Sequence, residues 1–302
     1  MFLKMRIVQV TLILLLVIPV IWGLLNLLSR KKRRHNTAIQ GVKVPILLYN
    51  GALSYVIGFN VIFFLQELFL VLGKKMLGLS ATLYHNNHTW EGDHEMVNLM
   101  QGSGAAGIFI CGIIFMVVFL QIKSSNAIVR LIFFWLSFHG IFQSLPQIAI
   151  GFLDPSTDVG NALVYYLDLN QNLLIGLSIF TLVSMAFLGI IYGRLLLTLA
   201  PIRKELLTDG VRFRVILYMA VISGFIGCVL TIPFRILPMS QALTPFLVFA
   251  FSIPWLWASA GLHREINTHP NPLGQKIYKI PLILCLVMLL FFRMVLVNGI
   301  NW

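Results

Sequence analysis

Long apolar runs alternate with short polar connections along the whole chain. Runs of about 20 residues with few charges fall at 7–28, 49–72, 102–121, 131–152, 172–193, 215–237, 243–261 and 280–299. A bilayer core about 30 Å thick takes roughly 20 residues of helix. A helix also pairs its own backbone N–H and C=O groups where no water can do so. The pattern predicts an all-α, polytopic transmembrane bundle of about eight spans. No connection exceeds about 30 residues, too short for a soluble domain of at least about 50, so 1–302 is expected to be a single integral membrane domain.

The first run follows Lys4 and Arg6, as a signal peptide would, but Arg30, Lys31, Lys32, Arg33 and Arg34 stop it and no small-x-small site follows. It is therefore expected to be an uncleaved span.

Composition fits this picture. Hydrophobic residues make up 59% of the 302 and charged residues 11%, against about 25% charged in soluble domains, and the mean hydropathy is +0.90. The net charge of +12 does not indicate nucleic acid, because the basic residues cluster in short segments between apolar runs. There they act as topology determinants. The loops at 30–47, 122–130, 194–214 and 262–279 hold 16 of the 22 Lys and Arg residues. Those loops are expected in the cytoplasm, with both termini on the other side. The opposite loops carry Glu91, Asp93, Glu95, Asp154, Asp158 and Asp168. Short loops without accessory domains point to a bacterial inner (plasma) membrane. The bilayer is the one partner that composition implies. Cys111, Cys228 and Cys285 all lie in apolar runs, where cysteine serves as a small buried residue.

Polar groups inside spans cost at least about 2.5–3.5 kcal/mol if they face lipid, so they should face the bundle. Glu67 is the one acid well inside a run, and Asn60 shares its helical face. His139, Gln143 and Gln147 form a stripe at i, i+4 and i+8 in the fourth run, while Arg235 and Arg293 lie in the outer halves of the sixth and eighth. Together with Gln66, these residues are expected either to hold helices together or to line an outward-facing polar cleft in which an arginine neutralises Glu67.

Between the second and third runs, His85, His88, Asp93 and His94 fall close enough in sequence to be candidate metal ligands, zinc among the metals. Asn87-His88-Thr89 is a glycosylation sequon in form. Gly102-Ser103-Gly104-Ala105-Ala106-Gly107 opens the third run with residues small enough for helix backbones to touch.

The order of these features resembles the M50-type, site-2 protease-like intramembrane metalloproteases. Gln66-Glu67-Leu68-Phe69-Leu70 stands where that family has H-E-x-x-H, and the Gly102–Gly107 segment matches its Gly/Ala-rich packing element. The run from Leu145-Pro146 through Asp154-Pro155 to Asp158-Val159-Gly160-Asn161 resembles the motif that supplies the third zinc ligand. The resemblance spans roughly 50–190. It implies an M50-like core over 49–193, preceded by the first span and basic loop (1–48) and followed by three further spans (194–302). Gln66 and Leu70 replace both histidines, and two imidazoles on one helical face are what such a zinc site requires. The resemblance therefore implies a non-proteolytic relative in which Glu67 keeps the position of the catalytic base. Three functions stay open: a non-catalytic protein that binds a membrane-protein or peptide partner, a transporter or channel component using Glu67, His139 and Arg293, and a membrane metalloenzyme using His85, His88 and His94 with Glu67.

Overall fold

The computed structural model describes residues 2–31, 43–122, 127–200, 209–236, 238–263, 266, 273 and 276–302. Eight of its helices are long and apolar enough to cross a membrane: span 1, Met5–Leu28; span 2, Val44–Met76; span 3, Val97–Gln121; span 4, Ala127–Leu153; span 5, Gln171–Thr198; span 6, Gly210–Arg235; span 7, Gln241–Gly261; and span 8, Lys279–Leu296. The protein is an all-α, multi-pass integral membrane bundle. Lys32, Arg33, Arg34, Lys123, Arg203, Lys204 and Arg264 of the basic loops lie outside the described residues.

Spans 2 and 4 form the centre. Of their most apolar stretches 67% and 72% are buried, against 22% for spans 1, 3 and 8, whose flanks are left for lipid. The centre is tight because glycines face backbone. A Cβ added at Gly58 of span 2 would lie 2.8 Å from the carbonyl carbon of Trp135 in span 4. One at Gly140 would lie 2.6 Å from Gly112 Cα of span 3. This closeness lets Tyr55, Phe59, Phe134, Trp135, Phe138, Phe142 and Tyr192 pack as one aromatic core. The Gly102–Gly107 segment packs on span 2, with Gly104 against Leu70 and Gln66 and Gly107 against Phe69.

One end of the bundle carries a feature that the apolar pattern does not reveal. Span 2 runs for 33 residues, about 50 Å at 1.5 Å per residue, and so outlasts a bilayer core of about 30 Å. Beyond it Gly78 turns the chain at φ 77°. A hairpin folds back, with β1 (Ser80–Leu83) antiparallel to β2 (His88–Glu91) in the register Ser80↔Glu91 and Leu83↔His88. The C-terminal residues supply β3 (Ile300–Asn301) on the other side of β1, giving the order β2-β1-β3. At the opposite end, the Asn50 side chain donates to Lys276 O at 3.0 Å and accepts from Tyr278 N at 3.2 Å. That contact ties the connection between spans 7 and 8 to the start of span 2.

Candidate functional site at the sheet-capped end of span 2

Glu67 and Lys74 are seven residues apart and share one face of span 2, and the hairpin covers both; Glu67 is 6% exposed and Lys74 0%. His88, the first residue of β2, points inward and brings Nδ1 to 3.0 Å from Glu67 Oε2. The two groups are within ion-pair distance. Side chains two apart on a strand share a face, so Trp90 lies beside His88, with ring centroids 5.7 Å apart and planes 20° from parallel. Lys74 Nζ sits 4.8 Å from the centroid of the Trp90 ring, a cation–π contact.

Two further charges face this pair. Asp158, in the connection between spans 4 and 5, is half-buried; burial raises its pKa above the ordinary carboxylate value and Glu67 adds to that, while His88 and Lys74 pull the other way. Arg235, at the end of span 6, is fully buried and lies against the ring of Phe63, one helical turn before Glu67. Its Nη2 donates to Gln241 Oε1 at 3.1 Å, and its backbone carbonyl accepts from the hairpin's Asn86 Nδ2 at 2.9 Å. Glu67 thus faces His88, Arg235 and Asp158, contributed by the hairpin, span 6 and a connection, while Lys74 lies against Trp90 within electrostatic reach of Asp158.

The other residues expected in a polar cleft are engaged in separate groups. Gln147 Nε2 donates to Gln66 Oε1 at 3.1 Å and to Gln143 O at 2.9 Å, and Gln143 Nε2 reaches Phe59 O at 3.5 Å. Asn60 Nδ2 donates within its own helix to Val56 O at 2.9 Å. His139 is fully buried among the rings of Tyr55, Phe59, Trp135 and Phe138, and neither ring nitrogen has a hydrogen-bond partner. Arg293, one of the two arginines expected to neutralise Glu67, instead donates to Pro233 O and Ile236 O and caps the end of span 6. No hydrogen bond or ion pair joins Glu67, His139 and Arg293 among the described residues. Two cavities flanking these spans are apolar. One of about 340 Å³ lies among Gly102, Ala106, Ile148 and Ala162; another of about 380 Å³ lies among Val61, Phe64, Met288 and Phe292.

The candidate metal ligands diverge. His88 is turned to Glu67, His94 Nδ1 accepts from Met96 N at 3.1 Å, and Asp93 is exposed beyond the turn at Gly92. Strand alternation and that turn send the side chains in different directions. His85, His88, Asp93 and His94 do not assemble, and among the described residues no three His, Cys, Asp or Glu side chains could hold a metal. A zinc site of the M50 type does not fit either. Leu70 has no donor atom and is buried against Gly104, and the Gln66 carbonyl oxygen is taken by Gln147.

No family model, curated protein or solved structure matches the chain.

The site therefore stands on its geometry. Lys74 and Trp90 belong to it without having been singled out in the sequence. The seven-residue spacing from Glu67 signals Lys74. Trp90 follows from His88 once β2 is recognised as a strand, but four residues are too few for alternation to declare it. The three cysteines are free, and Cys228 and Cys285 are buried.

Proposed function

We propose that this chain is a non-proteolytic membrane protein with a degenerate M50-type core, and that its sheet-capped end binds a membrane-protein or peptide partner. In this reading that end, with both termini, faces away from the cytoplasm of a bacterial inner membrane. One observation carries it: the groups at the would-be catalytic positions are each committed to other contacts. Glu67 holds His88, Gln66 holds Gln147, and Leu70 is packed against span 3. Asp158, in the segment that resembles the third-ligand motif, lies within electrostatic reach of Glu67, which is what an M50-like ancestry expects. The means of binding is at hand as well. β2 is an edge of the sheet, and Thr89, Trp90 and Glu91 are exposed. An extended segment pairs with such an edge through backbone hydrogen bonds.

The test places a photoreactive residue at Thr89 in the full chain and illuminates intact cells. A discrete adduct, identified by mass spectrometry and absent when the probe is moved to lipid-facing Phe180, is expected. No adduct at Thr89, or cleavage of a transmembrane substrate by the purified protein, would overturn the reading. The ancestry is tested separately. With Gln66→His and Leu70→His together, Glu67 and Asp158 remain in place and about one equivalent of zinc should bind. A folded double variant that takes up no zinc would argue against an M50-type core.

A further inference from the structure

Buried nitrogens of three side chains at this site have no hydrogen-bond partner: Arg235 Nε and Nη1, whose guanidinium is packed on the Phe63 ring, and Lys74 Nζ and His88 Nε2, which are not so covered. Lys74 is 0% exposed and its Nζ makes no hydrogen bond; His88 is 7% exposed and its Nε2 makes none, its Nδ1 being held by Glu67. Both side chains lie against Trp90. Asp158 is within electrostatic reach of both but closes an ion pair with neither. A buried ammonium without a hydrogen-bond acceptor is costly, and groups of this kind in native proteins call for a specific explanation.

Resting on the partner-binding reading above, we propose that the group recognised at this end is the C-terminal carboxylate of a peptide segment, seated between Lys74 Nζ and His88 Nε2 beneath the Trp90 ring. A carboxylate has two oxygens, one for each donor. The imidazolium form of His88 donates through both nitrogens, one to Glu67 and one to the incoming group. Bonds of this charge-assisted kind are roughly twice as strong as neutral ones. The ring of Trp90, 36% exposed, is the cover that must shift. The charges already at the seat narrow the ligand further. Glu67 beside His88, and Asp158 within electrostatic reach of His88 and Lys74, disfavour dianions and acidic tracts, so a monoanion is favoured over a phosphate monoester.

The experiment uses the full chain in nanodiscs of uncharged phosphatidylcholine. Binding is followed by calorimetry and by tryptophan emission, with Trp90→Phe as the emission control. The probes are an N-acetylated valine–threonine hexapeptide with a free C-terminus, the same peptide with a C-terminal amide, acetate and inorganic phosphate. The acid peptide should bind about tenfold or more tightly than the amide, a factor equal to about 1.4 kcal/mol. Lys74→Met should bring it down to the amide's level and Lys74→Arg should retain most of the difference. Acetate should compete weakly and phosphate less. The acid–amide comparison on the unmodified chain needs no variant to fold. Equal binding of acid and amide would overturn the carboxylate site and leave partner binding standing. So would failure of both peptides while the Thr89 adduct persists. Failure of both peptides with no adduct would overturn both. Acetate as strong as the peptide would make this a small-carboxylate site, and phosphate as strong as acetate an unselective anion site; either would overturn the proposal.

Discussion

Glu67 and His139 are both ionisable, both inside spans and both buried within the bundle, yet the fold accommodates them in opposite ways. Glu67 is met by charge: His88 at 3.0 Å, with Arg235 and Asp158 within electrostatic reach. His139 is met by rings alone, the nearest being Tyr55 at 4.5 Å between centroids. The difference follows from position. Glu67 is close enough to the end of span 2 for the hairpin to reach back over it. His139 faces the middle of span 2, where only apolar and aromatic neighbours are available. A polar residue inside a span is therefore no uniform sign of a functional cleft. The useful distinction is whether an element from outside the bundle reaches it.

The close approach of spans 2 and 4 underlies both environments, and breaking it should give the largest effect. In Gly58→Leu the first added atom would fall 2.8 Å from the Trp135 backbone, so no side-chain rotation relieves the clash. The expected outcome is loss of monodisperse folded protein in detergent. Normal recovery with an unchanged unfolding temperature would show that neither environment needs the contact.

Glu67→Ala leaves His88 and Arg235 buried without their counter-charge, and breaking a buried pair in this way costs about 3–5 kcal/mol. Glu67→Gln retains an acceptor and should cost less, about 1–3 kcal/mol. Denaturant unfolding in detergent measures both. Small, equal losses would mean the charged cluster contributes little to stability. His139→Phe should sharpen the contrast from the other side. A ring of similar size among rings is a volume-conserving change, expected to cost under about 1.5 kcal/mol, whereas His88→Phe removes Glu67's partner and should approach the Glu67→Ala loss. The reverse order would mean that His139, not His88, is the histidine whose polarity matters.

The eight spans were legible in the sequence because twenty apolar residues in a row have few other uses. Residues that act within one helix were legible too: the 139/143/147 stripe does face span 2, with Gln147 on Gln66. Contacts that depend on where a loop folds were not. His88 reads as one of four clustered candidate ligands until β2 turns it inward and Gly92 turns Asp93 away. Arg293 reads as a counter-ion for Glu67 from its depth alone. Its rotation about span 8, which depth does not reveal, sends it to the carbonyls at the end of span 6. β3 joins two stretches more than two hundred residues apart in two pairs, below what a local pattern can show.

His263 offers a third case, at the end opposite the sheet and just beyond span 7. Burial first, then the nearby Arg194 and Arg212, lower its pKa from 6.5 to about 4. The imidazole's Nε2 lies 3.2 Å from Ser259 Oγ. The unfolded chain therefore takes up this proton as pH falls through about 6.5, while the folded chain resists until about 4. Stability should fall across that window and level off below it. The effect is expected to be the smallest of the set, since one partly screened group is involved. It would appear as a lowering of the unfolding temperature between pH 6.5 and 4 that His263→Asn reduces. An identical pH profile in the variant would mean that this histidine is already hydrated in the fold. Its accommodation by burial beside two cations would then not stand as an alternative to the pairing of Glu67 and the aromatic enclosure of His139.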